Sequence, residues 1–227
     1  MEELIKTVVE KLKEECNSEK QIKILQNINT LLITDYEFRI DEDIIKPLWI
    51  EAYYYKENKF EDDNTHKDKK QKGDDRFGKL YFHEKGRGGV DICLSCGNYY
   101  LSFLIKYACV NGVFKSQTSL YSYLLNKYEK EYAENLFVLK KIPEDGKNHR
   151  EVFYSIRKGL TKESFKYEKL AALTGINNKE YRFCYATGFG KEKIMTDYMK
   201  THPSEDTLEK WKDLLGWIPR KVRERCK

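Results

Sequence analysis

With 227 residues, 40% of them hydrophobic and 14% aromatic, the chain can bury a sizeable core, which excludes disorder throughout and suits one domain with an appended piece. Its 42 Lys and Arg against 37 Asp and Glu give a formal net charge of +5, a mixed surface that suits an anionic partner but is not histone-like. No stretch approaches the roughly 18 uninterrupted apolar residues of a membrane span, and the polar start MEELIKTVVEKLKEEC has no leader-like apolar core, so a cytosolic chain without a membrane partner is expected.

Leu4, Ile5, Val8, Val9 and Leu12 recur at helical spacing over residues 2 to 16, and Ser18 with Gln21 forms a capping box for a second helix carrying Ile22, Leu25, Ile28 and Leu32. The pattern then turns to strands at Tyr36 to Ile40 and Leu48 to Tyr55, with Pro47 marking the entry. Lys56 to Lys79 is a polar loop, long for a connection inside one domain, which points to a functional or mobile segment. Leu80 to Phe82, Val90 to Leu94 and Tyr99 to Lys106 read as three more strands, joined by HEKGRGG and by a hairpin turn at Ser95-Cys96-Gly97-Asn98. Ser119 to Lys130 is helical, Phe137 to Ile142 and Glu151 to Ile156 are strand-like, and Glu163 to Leu173 reads as a helix ended by Gly175. A strand at Tyr181 to Tyr185 and helices at Lys191 to Lys200, Ser204 to Leu215 and Pro219 to Cys226 complete the chain.

Cysteines are six and scattered, and the single close pair, Cys93-Leu-Ser-Cys96, lacks the second pair or histidine couple of a zinc site. Reduced thiols and no metal are expected. The four histidines supply no metal template, and Asp62, Asp63, Asp74 and Asp75 sit among lysines as a solvated surface would.

Glu51 is the acid that stands out. It lies between Trp49-Ile50 and Ala52-Tyr53-Tyr54-Tyr55, and strict alternation puts it on one strand face with Trp49, Tyr53 and Tyr55. That is either an exposed strand face or a working carboxylate in a partly dry pocket, where its pKa would rise. In HEKGRGGVD, three glycines (Gly86, Gly88, Gly89) around Arg87 permit close approach to a ligand such as a phosphate, or form a simple bulged hairpin; Asp91 follows on the next strand. Arg157-Lys158-Gly159-Leu160-Thr161-Lys162 gathers bases ahead of a predicted helix, and PRKVRERCK closes the chain with further basic residues.

In order, then, the chain offers Glu51-Ala52-Tyr53, His66, Phe77-Gly78, Leu80-Tyr81, Asp91-Ile92-Cys93, Leu104-Ile105-Lys106, Arg157-Lys158-Gly159-Leu160-Thr161-Lys162 and Arg182-Phe183. This series resembles that of the alkyladenine (3-methyladenine) DNA glycosylases. The resemblance implies an α+β fold, a curved, mostly antiparallel sheet packed with helices, with the N-terminal helix pair and helical tail read above. It implies one domain over 1–190, with 191–227 a helical extension packed on it. It implies excision of a damaged purine after base flipping, without a cofactor, by a monomer acting on duplex DNA. Glu51 would activate the water, Tyr53 and His66 would sandwich the flipped base, and Asp91 stands where the family tests the base with Asn. Arg87, Arg157, Lys158, Lys162 and Arg182 would contact DNA. The family's tyrosine-rich hairpin is replaced here by HEKGRGGVD, and the segment from Glu51 to His66 is longer. An inactive nucleic-acid-binding module of the same fold, or an unrelated small-molecule or protein-interaction domain, are the alternative readings.

Overall fold

The computed structural model describes residues 3–83, 88–136, 139–143, 152–155, 157, 160 and 162–174. Expectations for Arg87, Lys158, Arg182, the strand at 181–185 and the helical extension 191–227 lie outside the described residues.

Two helices open the chain, α1 (Glu3–Glu14) and α2 (Ser18–Thr34). The residues at helical spacing, Ile5, Val8, Val9 and Leu12, are buried, as are Leu25, Ile28 and Leu32. The α2 cap falls one residue earlier than expected: the Asn17 side chain accepts from the Lys20 backbone N–H at 3.0 Å, while Gln21 donates to the Glu15 carbonyl instead of closing a capping box on Ser18.

The strands follow as β1 (Tyr36–Ile40), β2 (Asp43–Lys56), β3 (Phe60–Glu61), β4 (Leu80–Phe82), β5 (Val90–Cys93), β6 (Tyr100–Val110) and β7 (Val113–Ser116). After α3 (Gln117–Lys127) and α4 (Lys130–Asn135) come β8 (Leu139–Lys141), β9 (Val152–Ser155) and β10 (Ala171–Thr174). All pair antiparallel in one strongly curled sheet, a half-barrel, so the architecture is mixed α+β with a curved sheet. Its spine is β2, which β6 lines along one edge while β1, β10 and β3 take successive lengths of the other.

Three expectations are corrected. Residues 163–173 do not form one helix: a 3-10 turn at Lys162–Tyr167 gives way to β10, whose Ala171 and Ala172 pair with Glu51 and Ile50. Strand β6 runs on to Val110 and returns as β7 through Asn111 and Gly112, both at positive φ, a two-residue hairpin whose Asn-Gly signal was present in the sequence. Pro47 lies inside β2, in the gap between the stretches that β1 and β10 occupy, where its missing N–H costs no ladder bond on that edge.

The two sheet faces differ in kind. Ile50, Ala52 and Tyr54, Leu101, Phe103 and Ile105, Val90 and Ile92, and Leu80 and Phe82 share one apolar core with the helices. Their alternates, Glu51, Tyr53, Ser102, Leu104, Lys106, Asp91 and Tyr81, therefore occupy the other face.

Candidate active site

Register assembles the polar face. Glu51 pairs with Leu104, Leu104 with Asp91, and Asp91 with Tyr81, one row across β2, β6, β5 and β4. Beside this row the ladder between β2 and β6 slips twice, leaving Leu48 and then Lys106 without an opposite partner. Such a bulge re-aims a side chain, and here the Lys106 ammonium comes to 3.9 Å from Glu51 Oε2 and 5.9 Å from the Trp49 ring centre.

Glu51 is 2% exposed. The Tyr53 hydroxyl donates to its Oε2 at 2.9 Å, and no donor among the described residues reaches Oε1. Burial pushes the carboxyl above its ordinary range, against the pull of Lys106, the Tyr53 bond and Arg157. Burial and the neighbouring Glu51 charge likewise raise the Tyr53 hydroxyl well above its ordinary value, which keeps it a donor.

Asp91 is also buried, at 1% exposed. Its Oδ2 accepts from Ser102 Oγ at 2.8 Å and Gln71 Nε2 at 2.9 Å, and its Oδ1 lies 2.7 Å from His83 Nε2. The residue expected at the floor of a base pocket thus spends both oxygens inside the protein, and what it presents is His83. Burial lowers the proton affinity of His83, but the Asp91 charge and hydrogen bond, with Asp68 beyond, outweigh it and leave the imidazole above its ordinary value. The polar loop after β3 completes this side. His66, exposed, stacks on the His83 ring at 5.0 Å and 21°, and its Nδ1 lies 3.0 Å from the Tyr81 hydroxyl, which donates to Asp68 at 3.0 Å. With Tyr81 donating to Asp68, His66 Nδ1 must carry the proton of the other bond.

Arg157, expected on a phosphate, is 3% exposed. Its guanidinium donates to Asp62 at 2.6 Å, to the Ala52 carbonyl at 3.1 Å and twice to the Tyr167 carbonyl, while its carbon sits 4.7 Å from the centre of the Tyr53 ring. It pins β2 to the segment before β10. Asp62, expected on a solvated surface, is fully buried as its partner. Lys162 is exposed at the start of the 3-10 turn. Tyr53 and His66 share the polar face without ring contact, since Arg157 covers one side of Tyr53 and His83 stacks on His66.

Sequence reasoning passed over Gln71, Ser102, Lys106 and the tie between His83 and Asp91; the only signal for any of them was alternation from Leu104, which puts Ser102 and Lys106 on its face. The glycines of HEKGRGGVD that are described serve packing: Gly88, at φ +73°, accepts from Gln117 and lies where a Cβ would strike the Tyr121 ring at 2.9 Å. Outside the row, Lys69, Lys70, Lys72, Arg76 and Lys130, with Asp75, Glu131, Glu134 and Asn135, line an open cleft of about 510 Å³. No group of His, Cys, Asp and Glu among the described residues is arranged to hold a metal ion.

The arrangement offers a buried carboxylate with one oxygen unbonded by the described residues, a phenol and an ammonium against it, and a carboxylate-bound imidazole across one leucine. That is equipment for moving protons at a partly dry surface. A comparison of the chain with protein-family models and with curated proteins finds no match to either.

Proposed function

We propose that the chain is a DNA-binding N-glycosylase that hydrolyses the bond between a damaged purine and its sugar, with Glu51 as general base. The reading is carried by Glu51 itself: buried, proton-affine, held through Oε2 by Tyr53 and flanked by Lys106, with no donor on Oε1 among the described residues. Departure of the base leaves an oxocarbenium-like sugar, and water adds to C1′ as Glu51 takes its proton. A purine reaches such a site only out of the duplex stack, and the exposed His66 ring suits its flat surface. The ordered resemblance to the alkyladenine glycosylases supports the same assignment, as does the cleft bearing Lys69, Lys70 and Lys72 on the loop that carries His66.

The test is release of free base from an alkylated duplex. Wild type is expected to release it, and Glu51→Gln to lose about 100-fold or more in rate. Equal release by both removes Glu51 from the chemistry. Binding of the duplex without release by wild type leaves the alternative, an inactive module of the same fold.

A further inference from the structure

His83 is the unassigned group whose surroundings fit a chemical role. Asp91 accepts from Ser102, Gln71 and His83, which is the behaviour of a carboxylate, so His83 Nε2 carries a proton whether the ring is neutral or charged. No described residue bonds its Nδ1. The ring cannot turn freely: His66 stacks on it, the Tyr81 ring meets it edge-on at 5.2 Å and 65°, and a Cβ on Gly89 would lie 3.2 Å from its Cδ2. Its side chain is 21% exposed, which leaves a route for proton exchange with water.

Placement matters as much as fixation. Glu51 and Asp91 both pair with Leu104, so two strand spacings, about 10 Å, separate their backbones on one face. The half-buried His83 side chain lies at the Asp91 end of that row and the Glu51 carboxyl at the other, with Leu104 between them. We propose that His83, oriented by Asp91, is the general acid that protonates the departing base on the side of Leu104 away from Glu51; the assignment rests on the base-excision reading above.

The step balances. Water oxygen bonds to C1′ while the bond from C1′ to the base nitrogen breaks with its electron pair going to the base. His83 Nδ1–H gives its proton to a ring nitrogen of the base, and Glu51 takes the proton that water loses. Exchange with solvent returns both groups to their starting states. The charged and titratable groups that face His83 among the described residues are Asp91 from β5, Asp68 and His66 from the loop after β3, and Tyr81 from β4. The two carboxylates keep it protonated at higher pH than a free histidine.

Single-turnover release is to be measured on two duplexes, one bearing cationic 7-methylguanine, which departs without a proton, and one bearing neutral hypoxanthine, which needs one. His83→Gln is expected to slow hypoxanthine release about 100-fold, at least ten times the loss it causes on 7-methylguanine, and wild-type release of hypoxanthine is expected to fall as pH rises through a midpoint above that of free histidine. Equal losses on the two bases overturn the assignment alone. No release of either base by wild type overturns the excision reading and the assignment with it. An independent readout is the NMR titration of the His83 ring: a midpoint above that of free histidine in wild type that drops in Asp91→Asn supports the pair, and an unshifted midpoint in both overturns it.

Discussion

Glu51 and Asp91 meet the same residue, Leu104, from the two strands that flank β6. Two acids are thereby buried on one face with a single leucine between them, and the Asp91 charge adds to burial in raising the Glu51 carboxyl. Asp91 has three donors to itself; Glu51 has one phenol and an ammonium at the edge of contact.

Glu51 should therefore cost stability. A carboxyl whose pKa is raised by folding is penalised when ionised, above its folded pKa, and the penalty vanishes as pH falls below the ordinary Glu value of about 4.3. Glu51→Gln keeps an acceptor for Tyr53 without the charge. Thermal unfolding is expected to show a midpoint a few degrees above wild type at neutral pH, with the difference closing toward pH of about 4. A lower midpoint at neutral pH would show that Lys106 and Tyr53 compensate the charge fully.

Asp43 should behave in the opposite sense. Burial pushes its carboxyl up, but bonds from Lys127, Tyr123, Tyr128 and Asn111, all between 2.7 and 2.9 Å, outweigh burial and hold it below the ordinary range. Its stabilisation is present above the ordinary Asp value and is lost as pH falls through the folded pKa. Asp43→Ala strands those donors and is expected to cost about 3 kcal/mol or more by chemical denaturation at neutral pH, less in acid. A cost independent of pH argues for packing alone.

The pair Asp62 and Arg157 ties the loop after β3 to the approach to β10. Arg157→Met leaves a buried carboxylate without its cation, an expected loss of about 3 to 5 kcal/mol. Adding Asp62→Leu removes the stranded charge, so the double variant is expected to be more stable than Arg157→Met alone. Additive losses in the double-mutant cycle would refute a direct coupling.

Binding to duplex DNA is expected to weaken steeply with salt, and Lys70→Ala and Lys72→Ala each to flatten the logarithmic slope by about one. Fluorescence anisotropy across a salt series measures it. A slope unaltered by both substitutions places the phosphate contacts elsewhere than this cleft.

Much of the architecture was legible because periodicity survives folding: the helix pair, β1 and the centres of β2, β4, β5 and β6 follow from apolar spacing. Glu51 could be singled out because it is an acid inside an aromatic strand, either an exposed face or a pocket residue. Other features depend on partners far along the chain. Residues 171–174 look helical by composition and become a strand because Ile50 and Glu51 offer an open edge. Arg157 reads as a phosphate ligand next to Lys158 and Gly159, and only the fold delivers Asp62 to it. His83 meets Asp91 through a hairpin register that no local pattern specifies.

The division of one β2 edge among β1, β10 and β3 joins segments far apart in the chain. The length of β2 that carries Glu51 is sealed by Ala171, a residue that follows β6, its partner on the opposite edge, far along the chain. Contacts so distant in sequence close slowly. A chain cut short before Ala171 therefore leaves the β2 backbone at Glu51 without its neighbour on that edge.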